Sequence, residues 1–277
     1  MQDRYDHGFG DKWTEVYVHS REGYSTSVTD YHKHGFYEIN LILSGNVRIL
    51  FGDRAEEGSG NCIVLTRPGT LHYVSCKGDT LYRRIYLNFT EDFVRDHFSE
   101  WHRLSAVFGE YGSCFVLTSE ETERLQRIIA EIGGETSPLR KRLLICYLLS
   151  LVSDLAGEQA KPARLVPTYV LEALAYLERN YDRRITAEEL ARQVHVGRTT
   201  LMTEFKKYTG NTLGEYLTHR RIRHASRLLS AGETLEYTAS ACGFSDSSGL
   251  IRAFKRLYGM TPCRYLEQSA GEQKNIL

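Results

Sequence analysis

The sequence lacks the patterns that cross-link a protein or anchor it in a membrane. No two of its six cysteines form a C-x-x-C pair, and the closest two, Cys62 and Cys76, are 14 positions apart. This spacing gives no support to a thiolate metal cluster or a redox motif. No apolar run approaches the roughly 20 residues that a membrane-spanning helix needs, and the first ten residues are polar, unlike a signal peptide. We therefore expect a cytoplasmic protein with no membrane partner.

A net charge of zero conceals two parts of opposite sign. The 277 residues include 35 Lys and Arg against 35 Asp and Glu. From residue 162 onward, however, 17 basic residues face 12 acidic ones, and the preceding part has the matching acidic excess. This asymmetry favours a basic domain that contacts a polyanion, joined to an acidic domain. The chain is long enough for two such domains.

The first ninety residues have the short alternating apolar pattern of β-strands. Residues 37–43, 47–51, 62–65 and 81–89 each predict one strand, and turn-forming residues lie between them. Many short strands at close spacing indicate a sandwich or a small barrel. We therefore assign residues 1–90 to an antiparallel β-domain.

Residues 91–156 change to a helical period. One apolar stripe over 119–132 stops at two glycines, which is typical of a helix C-terminus. A second helix opens with Pro138 at its first helical position and has a broad apolar stripe. This stripe either packs on the β-domain or forms a dimer contact, and both interpretations stay open. The polar stretch 157–167 is typical of an interdomain linker.

The segment 168–277 is helical and contains one arrangement twice. In the first copy a capping box at Thr186 begins a short helix, a turn at His195 follows, and a second helix covers 198–208. In the second copy a short helix over 235–242 is followed by a turn, a capping residue at Ser245 or Asp246, and another helix over 249–258. This is the arrangement of a helix-turn-helix, whose second helix offers its outer face to a DNA groove. A long helix between the copies would keep the two outer helices at a fixed separation, roughly 34 Å for successive major grooves.

Two stretches of this segment are distinctive enough to indicate a family. They read ITAEELARQVHV in the first copy and ACGFSDSSGLIRAFKRLYGMTP in the second. The sequence from about residue 176 to residue 265 resembles the DNA-binding domain of the AraC/XylS family of transcription regulators. The resemblance implies double-stranded DNA and a second copy of the chain as partners, and RNA polymerase is a further candidate. One departure is Gly249, where the family usually has a large aromatic or polar side chain.

The resemblance assigns the outward side chains of the second helix in each copy to DNA. Arg252 is the strongest candidate for base readout, because a guanidinium can bond both acceptors on a guanine edge. The other candidates near base edges are Arg198, Thr199, Met202, Thr203, Ser247 and Ser248. The candidates for phosphate contacts, for which a solvated helix face is the alternative interpretation, are Lys206, Lys207, Lys255 and Arg256.

Histidines in the β-domain follow a second pattern. The spacing His32-x-His34-x3-Glu38-x6-Gly45 reproduces the first motif of the cupin superfamily, and Pro68-Gly69-x2-His72 resembles part of the second. The resemblance implies a small antiparallel barrel with an internal pocket. Residues 32, 34, 38 and 40 share parity, so a single strand would point them to one side of the sheet.

These polar residues are the candidates for an effector pocket. The pocket residues that we predict are His32, His34, Glu38, Asn40 and His72. We interpret the histidines as neutral lining of a site for a small molecule, such as a sugar-like metabolite, and expect no cofactor. The alternative is a divalent transition metal, whose ligands would be His32, His34, Glu38 and His72.

The sequence as a whole predicts a multi-domain α+β protein. Its N-terminal part is a cupin-like antiparallel β-barrel with helices, and its C-terminal part is an all-α domain of two helix-turn-helix units. The function that we expect is effector-responsive control of transcription, without enzymatic activity. One alternative is a metal-dependent cupin enzyme with an appended DNA-binding domain. Another is a helical module that binds a protein through its basic face.

Overall fold

The chain folds into two compact units with a boundary between Val166 and Pro167. Residues 157–163, which fall in the predicted linker, and the polar start of the chain lie outside the described residues. The computed structural model describes residues 15–24, 31–77, 81–95, 97–110, 112–156 and 164–267. We call the part up to Val166 the N-terminal unit and the part from Pro167 the C-terminal unit.

Strands dominate the described part of the N-terminal unit. In chain order they are β1 (Val16–Tyr24), β2 (Tyr37–Ser44), β3 (Asn46–Phe51), β4 (Arg54–Ser59), β5 (Cys62–Thr66), β6 (His72–Lys77), β7 (Leu81–Phe89), β8 (Gly112–Val116) and β9 (Arg164–Leu165). The first sheet has the order β1-β7-β2-β5-β8 and the second has the order β6-β3-β4-β9. All of these neighbouring strands pair antiparallel.

The alternation of β2 separates two cores. Ile39 and Leu41 lie in a buried cluster together with residues of the helices, whereas Ile42 lies in a second cluster with Val47 and Val74 of the second sheet. The two sheets therefore pack face to face, and one face of the first sheet is covered by helices. Glu38 and Asn40 share the parity of Ile42 and lie on the face toward the second sheet.

The antiparallel β-domain with helices that the sequence predicts is confirmed, although the barrel is not closed. Within the described residues the strands form two separate facing sheets. The sheets also extend beyond residue 90, because β8 and β9 follow the first helices of the chain. Both strands are short and do not alternate clearly, so their sequences did not indicate them.

Helices follow β7 and pack on the first sheet. Thr118 and Glu121 form a capping box that begins α3, and residues of both α3 and α4 lie in the first buried cluster. These elements are α1 (Glu91–Arg95), α2 (Trp101–Leu104), a 3-10 helix (Ser105–Phe108), α3 (Ser119–Gly134) and α4 (Pro138–Ala156).

The C-terminal unit is helical throughout its regular elements. Threonine side chains cap three of its helices: Thr186 caps α6, Thr212 caps α8 and Thr234 caps α9. The helices are α5 (Thr168–Asn180), α6 (Ala187–Gln193), α7 (Arg198–Thr209), α8 (Leu213–Ser230), α9 (Leu235–Ala241) and α10 (Ser247–Tyr258). The predicted pair of helix-turn-helix units is therefore present, as α6–α7 and α9–α10.

Helix α8 connects the two helix-turn-helix units and is held against α5 on one side and against the α9–α10 unit on the other. Its Arg220 forms an ion pair with Glu178 of α5, with 2.5 Å between Nε and Oε2. Its Arg221 donates from Nε to the carbonyl of Tyr181 at 2.7 Å. On the other side, Ile222 and Ala225 lie in the buried cluster of the α9–α10 unit.

We expect Gly243→Ala to destabilise the C-terminal unit more than Gly259→Ala does. Both glycines have a left-handed backbone, with φ of 72° and 71°. An alanine Cβ costs roughly 1 kcal/mol there through backbone strain. At Gly243 that Cβ would also lie 2.4 Å from the carbonyl oxygen of Asp182, whereas at Gly259 nothing lies within 4 Å. Overpacking of this kind adds about 1–3 kcal/mol.

Urea unfolding of the full chain, monitored for both variants and the wild type, measures the difference. Because the two glycines share the same φ, the gap between the variants isolates the contact with Asp182. Equal losses in both variants would show that this contact does not restrain the turn.

Candidate DNA interface and histidine cluster

The turn of the first helix-turn-helix unit has a defined backbone geometry. His195 adopts a left-handed conformation with φ of 54°. The amide of Val196 donates to the carbonyl of Ala191 at 3.0 Å. Ala191 is small and buried, which allows α6 and α7 to cross closely. Beyond the turn, α7 buries Leu201 and Phe205.

The second unit repeats this geometry. Gly243 takes the place of His195 with φ of 72°, and Phe244 donates to the carbonyl of Ala239 at 2.9 Å. Leu250 and Phe254 are buried on the inner face of α10. The second turn is one residue longer, since 242–246 lie between its helices and 194–197 lie between those of the first unit. The two units therefore present the outer faces of α7 and α10 in the same manner.

Helix α10 begins at Ser247, two residues before the predicted start at residue 249, and Asp246 is its N-cap. The side chain of Asp246 accepts a hydrogen bond from the amide of Gly249 at 2.6 Å. This bond is the main reason why the pKa of Asp246 is lowered, and Arg252 nearby lowers it further. Gly249 has room for a side chain, because a Cβ there would meet its nearest atom, in Asp246, at 3.5 Å.

The predicted DNA-contacting side chains all lie outside the core. Met202 and Ser247 are partly buried. The others are exposed, namely Arg198, Thr199, Thr203, Lys206, Lys207, Ser248, Arg252, Lys255 and Arg256. The polar faces of α7 and α10 are thus accessible.

Some of these basic side chains have acidic neighbours in the protein. Nε of Arg198 lies 2.8 Å from Oε1 of Glu188, and Nζ of Lys207 lies 2.7 Å from Oε2 of Glu204. Such exposed ion pairs are worth about 0–1 kcal/mol, so they are weak competitors for a phosphate.

The predicted pocket histidines lie together in the N-terminal unit, but they are not on the single strand that the prediction assumed. Strand β2 begins at Tyr37, so His32 and His34 precede it instead of sharing it. A bridge with hydrogen bonds of 2.9 and 2.7 Å pairs the backbone of His32 with that of His72. The carbonyl of His34 accepts from the amide of Gly69 at 2.7 Å.

The three imidazoles form one buried group, which we call the histidine cluster (His32, His34 and His72). The ring of His72 lies 4.3 Å from that of His32 and 4.8 Å from that of His34, measured between centroids. One ligand nitrogen from each ring lies within 4.8 Å of the other two. All three side chains are buried.

A carboxylate and an amide complete this arrangement. The two oxygens of Glu38 lie 3.7 Å from Nε2 of His34 and 3.7 Å from Nε2 of His72. Asn40 donates to Oε1 of Glu38 at 2.6 Å. The five residues predicted for the pocket therefore lie together.

Backbone carbonyls fix the orientation of two of the three imidazole rings. Nδ1 of His34 lies 3.0 Å from the carbonyl of Phe36, and Nδ1 of His72 lies 3.0 Å from that of Thr70. A carbonyl only accepts, so Nδ1 bears the proton in both bonds. Burial, followed by the influence of His34, lowers the pKa of His72 to about 4. His72 is therefore neutral near pH 7.

A buried arginine next to the cluster was missed in the sequence. Nη1 of Arg84 lies 3.3 Å from Oδ1 of Asn40, and its guanidinium lies 5.7 Å and 5.2 Å from the rings of Tyr82 and Tyr86. The apolar alternation that begins at Leu81 predicts the strand but not the character of its other face. The opposite parity of the same strand, Tyr-Arg-Tyr at 82, 84 and 86, was the signal for a polar inner face.

Comparison with known protein families identifies both units of the chain. An AraC-like ligand binding domain matches residues 16–152, and a helix-turn-helix domain matches residues 190–268. The chain belongs to the AraC family of transcription regulators. The regulator family predicted from the sequence of the helix-turn-helix segment is thereby confirmed. Both units of the structure correspond to domains of this family.

Several AraC-type regulators are similar to the chain. YijO, an HTH-type transcriptional regulator of Escherichia coli, is 30% identical over 128 residues, which cover 46% of this chain and 45% of YijO. RhaS, an HTH-type transcriptional activator of Klebsiella pneumoniae, is 27% identical over 251 residues, which cover 83% of this chain and 85% of RhaS. The structure of ToxT from Vibrio cholerae matches with a TM-score of 0.41 and 14% identity, covering 91% of this chain and 98% of ToxT.

The match to YijO thus spans less than half of that protein, whereas the match to RhaS spans most of it. In the described residues, no helix has both the length and the apolar character that crossing a membrane requires.

We expect Asp246→Ala to destabilise the C-terminal unit by about 1 kcal/mol, because the variant loses the cap of α10. Asp246→Ser is the matched control, since serine also accepts from the helix amides. Thermal unfolding of the full chain distinguishes the two variants. A serine variant as unstable as the alanine variant would show that the charge near Arg252, and not the cap, supplies the stability.

Proposed function

We propose that this chain is a sequence-specific DNA-binding transcription regulator whose N-terminal unit responds to a small effector. The observation that supports it best is the repeated geometry of two helix-turn-helix units with exposed outer faces. Its target is DNA, so we place it in the cytoplasm. We also propose that it is not an enzyme, because both units correspond to domains of regulators and neither family description names a reaction.

Arg252 is the residue that we propose for base readout. It is exposed on the outer face of α10, and the partly open position of Gly249 leaves space beside it. Arg198, Thr199, Met202 and Thr203 on α7 and Ser247 and Ser248 on α10 would lie near base edges. Lys206, Lys207, Lys255 and Arg256, nearer the ends of the two helices, would contact phosphates and make the affinity depend on salt.

A buried site in the N-terminal unit is proposed for the effector. His32, His34, Glu38, Asn40 and His72 lie in one contact network on the face between the sheets. Arg84 joins this set through Asn40. Buried polar groups in such number are costly unless they serve a structural or binding purpose.

The same unit exposes three large apolar side chains on α4. Leu139, Leu143 and Tyr147 are 59%, 50% and 47% exposed and are spaced four residues apart on α4. They therefore form an apolar stripe on one side of the helix. We propose that the stripe forms a homodimer contact. RNA polymerase is proposed as a further partner because RhaS, a relative, is named an activator.

We expect Arg252→Ala to weaken binding to the operator by about 1–3 kcal/mol and to relax the preference at one base pair. Lys255→Ala should instead weaken binding to all sequences alike and reduce the salt dependence by about one counterion. Fluorescence anisotropy of the full chain on its genomic binding site and on single-base variants, over a range of salt, measures both effects.

Arg179→Ala provides the control, since Arg179 is an exposed arginine of α5 outside both helix-turn-helix units. A uniform loss on every DNA sequence would reassign Arg252 to a phosphate contact. A DNA affinity that depends neither on salt nor on DNA sequence would contradict the proposed function and favour a protein partner.

We expect Leu143→Arg to shift the full chain from dimer to monomer, because a charge in the centre of the α4 stripe cannot be desolvated cheaply. Sedimentation velocity at several concentrations measures the shift. Ala130→Arg on α3 adds the same charge at another exposed position and should leave the dimer intact. Unchanged association of Leu143→Arg would place the dimer contact elsewhere.

A further inference from the structure

Arg84 of β7 is a buried cation with few partners, since it is only 7% exposed. A guanidinium has five N–H donors. In the described part of the chain, the one hydrogen bond of this side chain runs from Nη1 to Oδ1 of Asn40, at 3.3 Å. Nε makes no hydrogen bond there, although it is buried, and the guanidinium forms no ion pair with a described carboxylate. Buried donors of a charged group are costly to leave unpaired, so this arrangement calls for an acceptor.

The neighbours of Arg84 do not supply that acceptor. The guanidinium carbon lies 5.7 Å from the ring centre of Tyr82 and 5.2 Å from that of Tyr86. Cation–π contacts of this kind are attractive, but the ring faces accept no hydrogen bonds from the edge of the guanidinium. Glu38 is linked to Arg84 only through Asn40, which donates to Glu38 and accepts from Arg84. Most donors of the guanidinium therefore have no acceptor in the described residues.

The strand register adds a second arginine at this position of the sheet. Arg21 of β1 is the direct partner of Arg84 of β7. Like charges at directly opposite positions destabilise an antiparallel pair of strands. A negatively charged ligand bound at this position would reduce that repulsion, so the register supports the same conclusion as the unpaired donors.

Aromatic rings lie next to Arg84 on the same face of the first sheet. The register places Tyr86 opposite both His19 of β1 and Asn40 of β2. The ring of Tyr86 lies 5.3 Å from that of His19 and 6.2 Å from that of Tyr17, measured between centroids. Tyr17 and His19 are half-buried, so this face is accessible to a ligand from solvent. Such rings provide stacking surfaces for a flat or apolar molecule.

Glu38 limits the negative charge that the ligand can have. Its carboxylate is one amide side chain away from Arg84, through Asn40. A phosphate monoester has a charge of about −1.5 to −2 near pH 7, and a second negative charge near a buried carboxylate is costly. A carboxylate has a single charge, and its two oxygens match two parallel donors of a guanidinium. The site therefore favours a monocarboxylate over a phosphate.

We propose that Arg84 binds the carboxylate of the effector, which is an organic monocarboxylic acid whose body packs against Tyr86 and Tyr17. This inference rests on the effector response proposed above and specifies the chemical class of the effector. It replaces a neutral sugar-like metabolite with an acid, because a neutral molecule would leave the charge of Arg84 uncompensated.

Acid binding is measured by isothermal titration calorimetry on the full chain. The probes are benzoate, phenylacetate and hexanoate, the primary amide of each acid, and phenyl phosphate as the more highly charged anion. We expect at least one acid to bind with one equivalent per chain. Its amide should bind at least about tenfold more weakly, since a hydrogen bond to a charged group is worth more than one between neutral groups.

Three results on the wild type alone would overturn the proposal. The first is that no acid binds, and the second is that an amide binds as tightly as its acid. The third is that phenyl phosphate binds more tightly than every acid. None of these comparisons depends on the folding of a variant.

Three variants locate the acid site. Arg84→Met removes the charge at similar volume and should abolish binding of the acid. Arg84→Lys keeps the charge but not the two parallel donors, so its affinity should lie between those of the wild type and Arg84→Met. Arg83→Met is the matched control, because Arg83 is the exposed neighbour on the opposite face of β7. Circular dichroism confirms that each variant is folded. Unchanged binding in both Arg84 variants, or an equal loss in Arg83→Met, contradicts the assignment.

The effector role is tested through the affinity of the full chain for its operator, with the acid that binds and with the amide of that acid. We expect the acid alone to change the affinity by at least about fivefold, the lower end of common allosteric couplings. Arg84→Met should lose the change and Arg83→Met should keep it. If the acid binds at Arg84 but operator affinity does not change, the acid is not the effector. If the chain binds no DNA in any condition while the acid still binds, the proposed function fails and the acid site stands.

Discussion

The attachment of α8 to the segment after α5 is the constraint on which the C-terminal unit depends. Arg221 of α8 donates to the carbonyls of Tyr181 and Arg183 at 2.7 and 2.8 Å, and Arg220 pairs with Glu178. The carbonyl of Asp182, in the same segment, is the group that approaches Gly243 in the second turn. One short stretch of backbone therefore touches both the connecting helix and the second helix-turn-helix unit. These contacts restrain the second unit and the connecting helix relative to α5, and DNA recognition by two helices requires restraints of this kind.

The N-terminal unit depends on the alternation of β2 in a similar way. Ile39 and Leu41 point into the helix-packed core, so Glu38 and Asn40 point to the opposite face. A shift of one residue in the register would bring a carboxylate into the apolar core and remove it from the histidines. The apolar packing of the outer face thus determines where the polar groups of the inner face lie.

Local signals allowed most of the fold to be predicted from the sequence. Capping threonines and buried residues spaced three and four apart define the helices of the C-terminal unit, and alternating apolar residues define β2, β5 and β7. The four predicted strands correspond to β2, β3, β5 and β7, whereas β1, β4 and β6 were not predicted. The strands β8 and β9 were also missed, because they depend on their partners β5 and β4 and have little pattern of their own. Asp246 was one of two capping candidates, and only geometry shows which of them begins α10.

The sequence predicted which residues form the buried site, but not how the chain brings them together. Spacing grouped His32, His34, Glu38 and Asn40 through a shared strand, whereas the structure brings His32 to His72 through an isolated backbone bridge. The alternation of side chains along one segment does not show which distant segment pairs with it. Arg84 was overlooked for the same reason, since its neighbour Asn40 is on another strand.

The two proposed sites differ in the way they use electrostatics. Arg198 and Lys207 are at the surface, where their ion pairs are screened and weak, so exchange of a carboxylate for a phosphate costs little. The histidine cluster and Glu38 are buried, where a change of charge costs much more. An effector that contacts the proposed buried site would therefore change the energy of the surrounding sheets strongly, while the exposed basic residues would permit reversible binding to DNA. Burial of the sensing group and exposure of the DNA-contacting groups are both what a switchable regulator needs.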